Sequence, residues 1–402
     1  MSVAACPDPF TAVRTGERHA AYRALAAGGA PRRIVTPSGN LAWLVTDYDQ
    51  VRQVSTDPRL VKAESQTTEM TQRLVPDLAP ALVSHMLRVD GPDHTRLRKL
   101  VGAVFTRRRV ENLGPRIQQI ADELLDGLAK LEPGTVVDLV QSYALPLPMT
   151  VICELMGVPE EGRAPFRESS ATLAAGYFAE PAAFTAAATE QLGYVRRLIE
   201  EKRREPGDDL LSALIMVDDG GDRLSVDELT SMVYLLVIAG HETTANVIAS
   251  GVNTLLTHPD QLALLRNRPE LIDACVEELL RVHGAVQLAT PVRALEPVEV
   301  GGVAIEAGEL VLPALMAANH DPRRIDDPES FDITRADNPH VAFGFGIHYC
   351  LGAPLARLEG RIALASLFAR FPEPGLAIPP EQVRWRDNFM LHGLTALPLF
   401  VR

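Results

Sequence analysis

From Ser225 to Thr257 the chain reads as one helix, and a helix of that length restricts the fold more than any other stretch. Ser225-Val226-Asp227-Glu228 is a capping box, in which the serine hydroxyl and the glutamate carboxylate each satisfy a backbone N–H of the first turn. His258-Pro259 closes the pattern. At 1.5 Å per residue, roughly 32 residues span about 48 Å, comparable to the width of a whole protein of this size. Met232 to Ala239 is apolar on every side, which predicts burial rather than a surface stripe. The other elements therefore have to be laid around this helix. Its middle carries Gly240-His241-Glu242-Thr243-Thr244, where each buried, unpaired polar group costs about 1–3 kcal/mol. Two explanations fit: threonines bonding back to carbonyls four residues earlier while the acid faces a water pocket, or side chains that deliver protons.

At 402 residues the chain exceeds the usual size of one core, yet no low-complexity linker, solenoid repeat or long block of like charge marks a seam. One compact unit over 1–402 is expected. Hydrophobic residues make up 47% and aromatics only 5%, which predicts a large core of aliphatic helix packing. Lys plus Arg number 39 against 52 Asp plus Glu, a net charge of −13 that argues against nucleic acid or an anionic membrane as the main partner. Met1 to Phe10 shows neither a basic nor an apolar leader region, and uninterrupted apolar runs fall short of membrane length, so a cytoplasmic location is expected.

Cysteines stand at 6, 153, 275 and 350, and those at 153 and 275 lie in apolar helical surroundings that predict core packing. Cys350 differs. It sits in Phe343-Gly344-Phe345-Gly346-Ile347-His348-Tyr349-Cys350-Leu351-Gly352, whose glycines admit backbone angles and close approaches that a Cβ forbids. Leu351, Leu355, Leu358, Ile362 and Leu367 follow at helical spacing, with Pro354 tolerated in the first turn. The sulfur thus lies at a helix N-terminus, where amide donors and the helix dipole favour a thiolate. Four uses compete: a buried thiol, a zinc ligand, a nucleophile, or an axial ligand to haem iron. Zinc needs further ligands, and the chain has no Cys-x-x-Cys pair; a nucleophile needs a base and an oxyanion hole. Haem needs one thiolate, a flat apolar surface and no other local ligand, all of which this stretch supplies.

The run Phe343-Gly-x-Gly-x-His348-x-Cys350-x-Gly352 resembles the haem-binding loop of the cytochromes P450 in their soluble bacterial form, and the chain is similar to actinobacterial members that tailor natural products. The resemblance implies a mainly α fold with a small β region and the long central helix over the haem. Its helix-rich core would cover about 90–283 and 351–370, and its β-rich parts about 30–60, 285–315 and 374–402, in a single catalytic domain. It implies haem b (iron protoporphyrin IX) with Cys350 as axial ligand to the iron and Phe343, Gly344, His348 and Gly352 in the cofactor loop. His94 and Arg98, four apart on one helix face, would bind one haem propionate; Arg293, after Thr290-Pro291-Val292, would bind the other with His348. Ala239-Gly240-x-Glu242-Thr243 resembles the oxygen-activation motif, with Gly240 admitting the ligand, Thr243 steadying dioxygen and Glu242 relaying protons. Glu278 and Arg281, with Arg335 of Phe331-Asp332-x-x-Arg335, would form a structural brace. Ala239, Gly240, Met390 and Leu391 would face the substrate. His320 stands where many relatives carry Arg and is expected to serve local structure.

Along the chain, a loose arm to about residue 15 should precede a helix near Arg18–Ala27. Strands Arg33–Thr36 and Leu41–Thr46 flank a hairpin, and Asp47 caps a short helix. Residues 62–89 should form a long loop with broken helix, placed by the resemblance over the substrate side of the haem, and Asp93 is the expected N-cap of the next helix. Helices follow near Arg116–Leu131, Pro148–Gly157, Pro165–Phe178 and Pro181–Arg204, the last two resembling a mobile lid. A helix starts at Pro269-Glu270, strands return between Gln287 and Leu315, and Asn388–Gly393 is an apolar turn.

The implied activity is that of a monooxygenase that inserts one oxygen atom of O2 into a small apolar organic substrate, by hydroxylation or epoxidation, while the other leaves as water. The implied substrate is a secondary metabolite such as a polyketide, macrolide or terpenoid, as in antibiotic biosynthesis. Electrons would come from NAD(P)H through ferredoxin reductase and ferredoxin to a monomeric protein, with Arg107-Arg108-Arg109 receiving the acidic ferredoxin. A peroxide-driven relative would need no Glu242-Thr243 relay; a cysteine-dependent hydrolase would use Cys350 with His348; a haem-containing sensor would form no product.

Overall fold

The computed structural model describes residues 18–37, 39–62, 72–175 and 180–401. The expected N-terminal arm and Cys6 lie outside them, as does part of the loop at 62–89. Contacts divide the chain into two compact units, Met1–Val61 with Gly114–Pro146 and Thr243–Arg402, and Lys62–Leu113 with Leu147–Glu242.

The strands are β1 (Arg32–Val35), β2 (Leu41–Val45), β3 (Leu60–Lys62), β4 (Val136–Asp138), β5 (Val292–Ala294), β6 (Val298–Val300), β7 (Val303–Ile305), β8 (Leu310–Pro313), β9 (Gly375–Leu376) and β10 (Pro398–Phe400). In the first unit β1 and β2 form the expected hairpin, and the strands after residue 290 return to it: β2 pairs in parallel with β8, in the sheet order β1-β2-β8-β5-β3. A second sheet runs β4-β10-β9, and β6 pairs with β7. Helix Tyr48–Val54 is capped as expected, Asp47 accepting from the Gln50 N–H at 2.8 Å. It packs Val51 and Val54 into an aliphatic core with Val300, Ile305 and Val311. Helices Gly114–Ala129 and Ala353–Arg370 pack together, and the Tyr143 hydroxyl, buried, donates to the Ala363 carbonyl at 2.9 Å.

The second unit is helical. Glu160–Ala175 packs on Pro181–Arg204, and Phe184, Ala188 and Leu192 share a core with Ala81, Leu82 and Leu173. Arg96 joins this unit's turns, pairing with Asp222 at 3.1 Å and with Glu228. Two boundaries differ from expectation. Helix Gly91–Val104 has Asp90, not Asp93, as its N-cap residue: the backbone is still extended at Asp90, whose carboxylate makes no cap bond and accepts instead from the Lys62 N–H at 2.5 Å, while Asp93 falls in the first turn. The next difference is at Pro165, which lies inside a helix that opens at Glu160, where two glutamates in the first turn offset the positive end of the helix dipole.

The long helix is Val226–Thr257, and its capping box forms in both directions: the Ser225 N–H donates to Glu228 at 2.8 Å and the Glu228 N–H to the Ser225 hydroxyl at 3.2 Å. By length and composition it is long and apolar enough to cross a membrane, yet 56% of its most apolar window is buried inside the protein, as in a core helix. The expectation of burial on every side needs correcting. Met232, Val233 and Val237 are buried, but Tyr234, Leu235, Leu236 and Ile238 are only half-buried and Ala239 is exposed. Tyr234 and Ile238 still pack on the core of Phe184 and Leu192, so the less covered side is that of Leu235, Leu236 and Ala239.

Candidate active site

The cysteine loop is built from backbone. Gly344 and Gly346 both adopt the left-handed region, with φ of 71° and 74°. At Gly346 a Cβ would also collide with the Ser55 carbonyl, so two constraints demand glycine. The Gly344 N–H donates to the Val341 carbonyl at 2.8 Å, and the Cys350 N–H to the Phe343 carbonyl at 2.9 Å. This closes the loop on itself, with Gly346–His348 as one 3-10 turn and His348 half-buried. Cys350 is exposed, whereas Cys153 and Cys275 are buried. Burial drives the Cys153 and Cys275 thiols up to about 12, which leaves both inert. Gly352 is the N-cap of helix Ala353–Arg370, and its missing Cβ leaves room 3.8 Å from the Cys350 sulfur.

Behind the loop lies the brace. Glu278 and Arg281 are almost wholly buried and joined at two points, Nε to Oε2 at 2.8 Å and Nη2 to Oε1 at 2.7 Å. Arg281 spends its other donors on the carbonyls of Asn319, Pro328 and Ser330, and Arg335 reaches Glu278 at 3.3 Å. A buried ion pair is tolerable when every donor is used in this way. Asn319 extends the brace to the loop, because its side-chain oxygen accepts from the Val341 N–H at 2.7 Å. Asn319 opens the stretch Asn319-His320-Asp321-Pro322, but nothing in that pattern signals its contact with the loop.

The other candidates of this unit have partners of their own. Arg293 is exposed on β5 and donates to the Gly308 carbonyl at 2.7 Å. His320 is buried with Nδ1 2.9 Å from the Met316 carbonyl, a local contact. Thr243 is half-buried on the long helix. One turn on, Asn246 meets Gly393, where a Cβ would clash with it. This places the Asn388–Gly393 turn, with half-buried Met390 and Leu391, at the same stretch of helix. Gln287 holds that turn, its side chain donating to the carbonyls of Asn388 and Leu391 at 2.9 Å each.

The second unit holds the rest. His94 is buried and Arg98 half-buried, one turn apart on Gly91–Val104. On the long helix, Glu242 is half-buried beside buried His241, whose Nδ1 lies 2.7 Å from the Val237 carbonyl. A Cβ at Gly240 would lie 3.3 Å from Ile152, a tight contact that the packing would have to absorb. The loop at 62–89 supplies a group that sequence patterns miss. His85 is 4% exposed and held down at about 3 by burial and by Arg88. Lys62 is lowered to about 8, chiefly by burial, with Arg88 adding to the effect and Asp90 opposing it.

An exposed thiol on a glycine-turned loop, a buried carboxylate–arginine brace behind it and a long helix with an acid and an alcohol at its centre together define the haem-thiolate enzymes. The family model described as Cytochrome P450 matches residues 182–268 and 265–386. The chain is 48% identical over 374 residues to Cytochrome P450 107B1 of Saccharopolyspora erythraea, covering 92% of this chain and 91% of that protein. It is 41% identical over 361 residues to the polyketide biosynthesis cytochrome P450 PksS of Bacillus subtilis, covering 89% and 88%. The solved tirandamycin C-bound P450 monooxygenase TamI superimposes with a TM-score of 0.85 at 44% identity, covering 96% and 97%. This chain belongs to the cytochrome P450 family, and it is an oxidoreductase of the monooxygenase type.

Proposed function

We propose that the enzyme uses haem b to insert one oxygen atom of O2 into a secondary metabolite of polyketide or macrolide type. The observation that carries the reading is the exposed Cys350 thiol on a loop whose glycines let a flat partner approach the backbone. The donor set fits the cofactor. Cys350 would ligate the iron, and Arg293 and His348, like His94 and Arg98, are cationic or donor side chains suited to propionates through charge-assisted hydrogen bonds. When bound, haem supplies the dioxygen chemistry, and its thiolate ligand favours O–O cleavage.

The residues of the chain supply the rest. Glu242 and Thr243, adjacent on the long helix, hold and pass protons, as a general acid chain requires. Met390 and Leu391, fixed by Gln287, present an apolar edge to the substrate. The polyketide assignment is supported by relatives named for polyketide biosynthesis and by the tirandamycin-bound structure. Electrons come from NAD(P)H through a ferredoxin reductase and a ferredoxin, to a soluble, cytoplasmic monomer.

The test is expression with haem supply. Wild type should purify coloured, show the thiolate-type carbonyl spectrum and oxidise a polyketide panel under a ferredoxin system, while Cys350→Ala should lose that spectrum. A colourless wild type sinks the reading in favour of a cysteine hydrolase. Turnover with peroxide alone at the full rate assigns the peroxide-driven route, and bound haem without product assigns a sensor.

A further inference from the structure

Glu277, next to the brace residue Glu278 but turned to other partners, gathers a second network in the first unit. Arg357 lies seven residues beyond Cys350 on helix Ala353–Arg370 and grips Glu277 with both edges of its fork, Nε to Oε1 at 2.5 Å and Nη2 to Oε2 at 2.8 Å. His340 adds a third bond to the same carboxylate, Nε2 to Oε2 at 3.0 Å. The His340 tautomer follows from its other nitrogen: Nδ1 accepts from the Ala342 N–H at 3.3 Å, so the ring proton sits on Nε2 and is donated to Glu277. Burial works against ionisation of Glu277, but the hydrogen bonds from Arg357 and His340 outweigh it and hold the carboxylate at about 2. The pair is charged at any working pH.

The same guanidinium reaches two residues tied to Cys350, one through the chain and one through a backbone hydrogen bond. Its Nη1 donates to the Tyr349 hydroxyl at 3.2 Å, and its carbon lies 4.5 Å over the Phe343 ring in a cation–π contact. Tyr349 precedes Cys350 in the chain, and the Phe343 carbonyl is the acceptor of the Cys350 N–H. One side chain thus fixes the residue before the sulfur and the residue bonded to its backbone. An exposed ion pair would contribute little, and Arg357 and Glu277 are about a third exposed at 35% and 32%. A two-pronged fork stacked on an aromatic ring is a different device, because its value lies in orientation.

We propose that Arg357, locked by Glu277 and His340, is a positioning residue that holds the Cys350 sulfur in its ligating geometry. This rests on the reading of Cys350 as the iron ligand. Partners that orient a metal ligand typically account for about 10–100-fold in metal affinity or activity, and the effect expected here is at the lower end.

The test uses purified holoprotein and follows conversion of the reduced carbonyl complex from its thiolate to its non-thiolate spectrum. Arg357→Gln and Glu277→Gln should convert about tenfold faster than wild type. Arg357→Lys keeps the charge without the fork and should convert as fast as Arg357→Gln. Arg361→Gln, on the same helix but paired with exposed Asp273, should behave as wild type. If the Arg357 and Glu277 variants fail to fold, Tyr349→Phe, which removes one contact, should still convert about two- to threefold faster. Conversion at the wild-type rate in the Arg357 and Glu277 variants, or in Tyr349→Phe where they do not fold, overturns the proposal. So does equal acceleration in Arg361→Gln, which would mark a general loosening of the helix. Absence of the thiolate spectrum from wild type overturns the axial-ligand reading itself, a distinguishable failure.

Discussion

Thr243 and Glu242 remain half-buried in a helix whose next residues, from Thr244 to Gly251, are all buried. A proton relay needs access to water, and inert core threonines do not. Thr243→Ala should therefore leave haem binding intact and divert NAD(P)H electrons into hydrogen peroxide; product formed in full proportion to NAD(P)H consumed would reject the role. His85 makes a second prediction at this scale. Its ordinary value is 6.5, but in the folded protein it accepts a proton only at about 3. Between those values the unfolded chain holds a proton that the folded chain lacks, so stability falls as pH drops below 6.5, by up to about 1.4 kcal/mol per pH unit. His85→Gln should flatten that part of the unfolding-midpoint curve relative to wild type, and parallel curves would show that His85 titrates normally. Glu359 is fully buried on helix Ala353–Arg370, and burial alone pushes its carboxyl well above the usual carboxylate range.

At the scale of the element, the cysteine loop depends on its backbone more than on its side chains. Gly346→Ala would place a Cβ in the left-handed region and against the Ser55 carbonyl at once, so the protein should lose about 3 kcal/mol, read as a drop in urea midpoint. Retention of the wild-type midpoint would mean that the loop and helix Tyr48–Val54 separate readily. The loop is held from two sides. Asn319 ties it to the Glu278–Arg281 brace, and Arg357 ties it to Glu277. Consecutive glutamates on one helix, at 277 and 278, anchor the two supports.

For the whole molecule, the net charge of −13 sets the context in which Arg107–Arg109, at the start of helix Arg107–Asn112, stand out. Arg107 pairs with Glu111 at 2.8 Å and stays largely exposed, and Arg109 lies 3.8 Å from Asp208, so part of this charge is already engaged. Replacing the three arginines with glutamate should slow reduction by an acidic ferredoxin at low salt, with the difference shrinking as ionic strength rises. Stopped-flow reduction rates check this, and equal rates for variant and wild type at low salt would remove the arginines from the docking surface.

What the sequence determined by itself is the set of features governed by neighbours a few residues apart. Capping of the long helix by Ser225 and Glu228, the start of a helix at Pro181, the hairpin of β1 and β2 and the glycine-turned cysteine loop all rest on local sterics and local hydrogen bonds, and each is legible from its own residues. Tertiary structure decided the rest. Arg357 and Glu277 are 80 residues apart and Asn319 is 22 from Val341, so neither contact leaves a trace in any local pattern. Burial is decided in the same way: His85 looks like an ordinary loop histidine, and Met232 to Ala239 like a wholly buried run, until packing from elsewhere in the chain covers the one and leaves one side of the other less covered. The cost of burying a charge or exposing an apolar face depends on what lies across from it, and that is set only when distant segments meet.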